Sequence, residues 1–219
     1  MMVGMQATRI LLVRHGETEW NAGARIQGHL DIALNDTGRL QARRLASALA
    51  GGEPIDAIYT SDLTRARETA RPLAAAIRMP LVALEALRER HLGRFQGRRF
   101  VDVQAEEPEQ AALWRRRDPA WIPPGGGESL LQFQERIRRA VQGMAAENMD
   151  RHIAVFTHGG VLDILYRAAC GIDLRHLRSW SAANASVNRL LWTPDSGLSL
   201  VGWADTTHLE DWALDENTV

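Results

Sequence analysis

The chain has 219 residues, 45% hydrophobic and 24% charged, the size and make-up of one globular domain that buries a core without disulfides or metals. Its 26 basic and 27 acidic side chains leave a net charge of −1, which argues against a general nucleic-acid binder or a polybasic membrane binder. Every basic side chain is an arginine, so Schiff-base, pyridoxal-phosphate and P-loop lysines are all excluded.

In chain order, the opening Met1 to Gln6 is too short for a signal peptide and has no basic start, and no apolar run reaches the ~18 residues of a membrane span. A cytoplasmic location is the resulting expectation, with residues 1–8 as an N-terminal extension and residues 9–219 as a single domain. Arg9 to Val13 reads as a buried strand. Thr37 to Leu49 reads as a helix capped by Asp36 or Thr37. A second strand, Ile55 to Tyr59, precedes a helix over Asp62 to Ile77, which Pro72 is expected to kink or break. Leu81 to Leu84 is a short strand.

The stretch from Glu89 to Pro124 is less regular and reads as a cap insertion (about 89–124) that shapes a pocket. Its Arg115, Arg116 and Arg117 read as a solvated run rather than the alternative, a substrate-facing patch. Ser129 and Gln132 form a capping box for a helix over Ser129 to Met144. Ile153 to Phe156 is a strand, and a helix over Gly159 to Ala169 is stopped by Gly171. Val187 to Trp192 and Leu198 to Trp203 are late strands around the turn at Pro194 to Gly197. The lone cysteine, Cys170, rules out an intramolecular disulfide and is expected in the core. The seven tryptophans are expected to pack core and cap.

This alternation predicts an α/β fold: a three-layer αβα sandwich with a mostly parallel central sheet and helices on both faces. In such sheets ligands sit beyond the carboxyl ends of the strands. Those positions carry Arg14-His15-Gly16-Glu17-Thr18, Thr60-Ser61-Asp62-Leu63-Thr64-Arg65, Arg88-Glu89-Arg90-His91 and Thr157-His158-Gly159-Gly160. Arginines can grip phosphoryl oxygens two at a time, histidine can act as nucleophile, and a carboxylate can move a proton. A phosphomonoester fits this set better than a nucleoside triphosphate.

The segment Leu12 to Asn21 resembles the signature of the histidine phosphatase superfamily, also called phosphoglycerate-mutase-like. Thr60 to Ala66 resembles its second arginine motif, Leu87 to Gly93 its acid-bearing segment, Pro124 to Ser129 the turn before a family helix, and Val155 to Gly160 its second-histidine motif. The resemblance implies that His15 attacks phosphorus and becomes a phosphohistidine, its other ring nitrogen donating to a backbone carbonyl. Arg14, Arg65 and His158 would surround the equatorial oxygens, and Glu89 would protonate the leaving alkoxide and then activate water. Asn21, Gly16, Thr18, Gln27, Gly28, Arg90 and Gly159 are the further substrate-binding candidates, with Glu17 beside them. His29, His91 and His208 read as structural. Neither a metal nor another cofactor is implied, because arginines supply the positive charge.

Mutases resembling this chain carry a tyrosine where it has Leu92, a lysine where it has Phe100 and an asparagine where it has Gly160. The implied activity is therefore phosphatase, of the broad-specificity, α-ribazole-phosphatase or phosphoglycerate-phosphatase kind. A cofactor-dependent phosphoglycerate mutase is the alternative, kept open by Arg90, Arg98 and Arg99. A phosphate-ligand-binding member with little activity is another. The implied partner is a small phosphorylated substrate, with no nucleic acid and no membrane; the resemblance alone points to a homodimer.

Overall fold

In the computed structural model, which describes residues 6–210, the apolar run Ile10 to Val13 lies near the middle of a six-stranded sheet. The strands are β1 (Thr8–Arg14), β2 (Ala57–Ser61), β3 (Leu81–Leu84), β4 (His152–Thr157), β5 (Val187–Thr193) and β6 (Gly197–Asp205). Their order is β3-β2-β4-β1-β5-β6. Strands β3, β2, β4 and β1 run parallel; β5 is antiparallel to β1, and β6 to β5. The late hairpin thus turns a parallel sheet into a mostly parallel one, as a short turn between consecutive strands must.

Side chains alternate across β1 with period two, and each parity has its own core. Ile10 and Leu12 pack with α6 (Leu130–Glu147) and α7 (Gly159–Cys170), through Phe133, Ile137, Val141, Leu162 and Leu165. Leu11 and Val13 pack with α2 (Asp36–Ala50) and α3 (Thr64–Ala76), through Leu45, Ala46, Ala70 and Leu73. All of β4 is buried, which explains the unbroken apolar run from Ile153 to Phe156 at its centre. Each large aliphatic side chain buried here contributes roughly 1.5–3 kcal/mol, so both helical layers are held firmly to the central strands.

Among the described residues, three α-helices were not foreseen. A single turn, α1 (Glu19–Ala22), follows the first strand-end motif, and the cap holds α4 (Phe100–Glu106) and α5 (Pro108–Arg115). They close over a small core of their own, in which Phe95, Val103 and Ala111 are buried and Phe100, Trp114 and Trp121 pack around them. Too few apolar positions recur in that stretch for helical periodicity to show in the sequence.

Other expectations need correction. Asn35, not Asp36 or Thr37, caps α2, its side chain accepting from Gly38 N at 2.8 Å. Helix α3 continues through Pro72 without a break. Cys170 is exposed: it falls at the carboxyl end of α7, where Arg167 takes the buried position of the last turn. Arg115 and Arg116 are exposed, but Arg117 is half-buried and paired with Asp163. The predicted Ser129–Gln132 capping box is present. Trp192 is in the core, Trp114 and Trp121 are in the cap, and Trp180 and Trp203 pack on Tyr166 with ring centroids 4.3 and 4.8 Å away. Trp212 and residues 1–5 of the expected N-terminal extension lie outside the described residues. Among the described residues no helix is long and apolar enough to cross a membrane.

Candidate active site

β1 ends at Arg14, and the next residue leaves the sheet at its carboxyl edge. His15 is anchored there by its own backbone N–H, which donates to Thr157 O at 2.9 Å. Its Nδ1 lies 2.7 Å from the carbonyl oxygen of Gly16. A carbonyl can only accept, so Nδ1 carries the proton and Nε2 keeps its lone pair. Burial, then the charges of Arg65 and Arg14, hold the imidazole well below its usual 6.5 and so in the neutral, nucleophilic form.

The three other expected anion-binding groups surround this ring. Arg65, in the first turn of α3, is fully buried; its two terminal nitrogens donate to Leu30 O and Gly28 O, both at 2.8 Å. Burial lowers it to about 10 against the opposing charge of Glu89, so it stays a cation. Arg14 is held by Ala182 O. His158, at the end of β4, is fully buried with its ring centroid 5.2 Å from that of His15, and its Nε2 is 2.9 Å from Ser61 Oγ. The Nε atoms of Arg14 and Arg65 and Nδ1 of His158 are buried without a protein partner. Buried polar atoms left unpaired cost about 1–3 kcal/mol each, and the two arginine Nε–H groups among them are donors, so this concentration at one place marks it for an anion.

Glu89 reaches the same place from the third connection. Its Oε1 accepts from Arg90 N at 2.7 Å and its Oε2 from Gly160 N, at the amino end of α7, at 2.8 Å. Its carbonyl is gripped by His29 Nε2 at 2.7 Å and Arg136 Nη2 at 3.2 Å. From α6, Arg136 also donates to Ala86 O and Arg88 O and is paired with Glu128. One buried-edge arginine thus gathers the whole acid-bearing segment. His29 has a structural role, as expected, and His91 packs edge-on against it at 4.9 Å.

The pocket is lined by Arg14, His15, Asn21, Gln27, Gly28, Arg65, Glu89 and Gly159, together with Arg25, Ile26 and Leu92. The remaining candidates are employed elsewhere. Thr18 is the N-cap of α1 and forms a capping box with Asn21. The N–H of Gly16 donates to Thr69 Oγ1 at 2.9 Å, so it is spent on α3. Arg90 donates to Glu128 O at 2.7 Å and lies over the Trp121 ring at 5.7 Å, turned into the cap. Glu17 accepts from the Asn35 side chain at 2.8 Å.

Sequence reasoning missed Asn184, which donates to His15 O at 2.9 Å and Asn21 Oδ1 at 3.3 Å. It also missed Ser61, Arg25 and Arg136. No local pattern singles these out, although Ser61 lies within a quoted motif. A larger cavity at the amino ends of β1 and β4 includes Arg9 and Glu53, which pair with each other. It has no comparable set of unpaired donors.

A family model described as "Histidine phosphatase superfamily (branch 1)" matches residues 10–206. The chain is 39% identical over 203 residues to "Phosphoglycerate mutase-like protein 4" of Arabidopsis thaliana, covering 92% of this chain and 87% of that protein. It is 37% identical over 211 residues to the "Metal-independent phosphoserine phosphatase" of the same plant, covering 94% and 85%. The native structure of a mycobacterial glucosyl-3-phosphoglycerate phosphatase superposes with a TM-score of 0.80 at 32% identity, covering 91% of this chain and 100% of that one.

Proposed function

The chain belongs to the histidine phosphatase superfamily, and from that premise we propose that it is a metal-independent phosphatase hydrolysing small phosphomonoesters through a phosphohistidine on His15. In this reading Nε2 of His15 attacks phosphorus in line with the leaving oxygen. As the P–O bond breaks, Glu89 gives its proton to the departing alkoxide. Water then enters, Glu89 takes one of its protons, the N–P bond breaks and inorganic phosphate leaves. Arg14, Arg65 and His158 stabilise the equatorial oxygens throughout, with Asn21, Gln27, Gly28 and Gly159 completing the pocket.

The observation that carries this reading is the His15–Gly16 hydrogen bond, which leaves Nε2 unprotonated beside two arginines with unpaired Nε atoms. The relatives named as phosphatases support hydrolysis. The second anion clamp that a mutase needs has no obvious source in Arg90, Arg98 and Arg99. Arg90 is bonded into the cap, Arg98 is paired with Glu106 and Glu107, and Arg99 is paired with Asp102. Leu92 lends the pocket wall an apolar side chain. The same reading treats residues 9–219 as one domain with residues 89–124 as its cap. A homodimer and a cytoplasmic location belong to it as well, on the family resemblance and the composition.

The test is hydrolysis of p-nitrophenyl phosphate in EDTA by wild type and His15→Ala, followed by phosphoserine and 3-phosphoglycerate. Metal-independent turnover that vanishes in His15→Ala is expected. Turnover surviving in the variant, or isomerisation of 3-phosphoglycerate without phosphate release, would overturn the reading.

A further inference from the structure

In this chain the Glu89 side chain occupies the space that a Cβ at position 160 would need. A Cβ placed on Gly160 would lie 2.1 Å from Glu89 Oε1, 2.9 Å from Cδ and 3.2 Å from Oε2. These nearest atoms all belong to the tip of one side chain. The backbone N–H of the same glycine donates to Oε2 at 2.8 Å. Gly160 is the second residue of α7, a 12-residue helix, so the carboxylate also sits at the favourable end of the helix dipole. In the first turn of a helix, glycine still loses more backbone freedom than alanine on folding, so local helix stability gives no reason for a glycine here.

We propose that Gly160 is a positioning residue for proton transfer by Glu89. Its missing side chain forms the slot in which the carboxyl group docks, and its N–H sets the angle. This rests on Glu89 being the acid of the proposed reaction. The obstruction would be only the movable end of the glutamate, so a methyl group at 160 displaces the acid without disturbing the helix. The active site then keeps its nucleophile and its arginines but loses the aim of its proton donor.

The experiment compares Gly160→Ala with Glu89→Gln on two substrates. One is p-nitrophenyl phosphate, whose phenolate leaves without protonation; the other is a primary alkyl phosphate, whose alkoxide needs a proton. The readout is kcat/KM, which reports the first phosphoryl transfer. Glu89→Gln is expected to lose about 10²–10⁴-fold on the alkyl ester and far less on the aryl ester. Gly160→Ala is expected to show the same selectivity at about 10²-fold, with a thermal midpoint equal to or above wild type. Glu89→Asp, one methylene shorter, is expected to recover part of the alkyl-ester rate when added to Gly160→Ala. Should Gly160→Ala fold poorly, adding Glu89→Ala must restore its midpoint, since it removes the colliding atoms. Failure to restore it overturns the proposal. Equal loss on both esters, or no loss, in Gly160→Ala while Glu89→Gln is selective overturns the role of Gly160 alone. Absence of selectivity in Glu89→Gln overturns the acid assignment and this proposal with it.

Discussion

Arg117 donates from Nη2 to Asp163 Oδ2 across 2.7 Å and so ties the cap to the helix whose amino end holds Glu89. Asp163 also accepts from Arg167 Nε at 3.0 Å, and the Arg167 side chain has no exposed surface. Arg117 Nε reaches Leu174 O at 2.8 Å and Arg167 Nη1 reaches Asp173 O, so the same carboxylate organises the loop after α7. That loop continues to Ala182 and Asn184, which hold Arg14 and the backbone of His15. Replacing Asp163 by alanine leaves Arg167 buried without a counter-charge. A loss of about 3–5 kcal/mol in urea unfolding is expected, with a smaller loss for Asp163→Asn, which keeps an acceptor. A loss below about 1 kcal/mol for the alanine variant would show that the backbone carbonyls suffice to hold Arg167.

Stability should fall in weak acid. His15 and His158 are both buried, and both are held well below the ordinary 6.5, by burial first and then by Arg65. Below about pH 6.5 the unfolded chain takes up protons at these histidines while the folded protein does not. Their contribution is therefore intact above that pH. It is lost progressively as pH falls toward the depressed folded-state values. The slope is at most about 1.4 kcal/mol per pH unit for each histidine. His29, His152 and His208 are shifted down as well, so the decisive quantity is a difference. His158→Gln should reduce the drop in stability between pH 7.5 and 5.5 relative to wild type. An unchanged drop would contradict a neutral, buried His158.

Arg65 should tolerate no substitute. Its planar fork spans Leu30 O and Gly28 O while its buried Nε stays unpaired. Arg65→Ala is expected to lower kcat/KM by about 10²–10³-fold, the scale of losing one preorganised donor to transition-state charge. Arg65→Lys should recover little of this, because an ammonium cannot make the same three directed contacts. Near-complete recovery by lysine would mean that charge alone matters at this position.

Much of the site was legible because each motif follows a strand. Parallel strands carry their carboxyl ends to one edge, so Arg14, His15, Arg65 and His158 could be grouped before any tertiary contact was known. What was illegible came from residues whose chemistry depends on distant partners. Asn184 is one, holding the backbone of His15 from 169 residues away. Arg90 stands next to the acid in sequence but points into the cap, since its neighbours Glu128 and Trp121 belong to segments over thirty residues away.

The amino-acid sequence by itself determined the layered α/β architecture, through the apolar runs of β1 and β4 and the amphipathic helices between them. It also determined which residue types stand at the strand ends. Both are local properties of the chain, set by side-chain periodicity and turn chemistry. Only the tertiary structure decided which tautomer His15 adopts, which donors are left unpaired, and that Glu89 docks where Gly160 has no side chain. The Glu89–Gly160 contact joins segments that loop closure brings together across the fold, and the His15–Gly16 bond, though between neighbours, depends on the backbone conformation the fold imposes where β1 leaves the sheet.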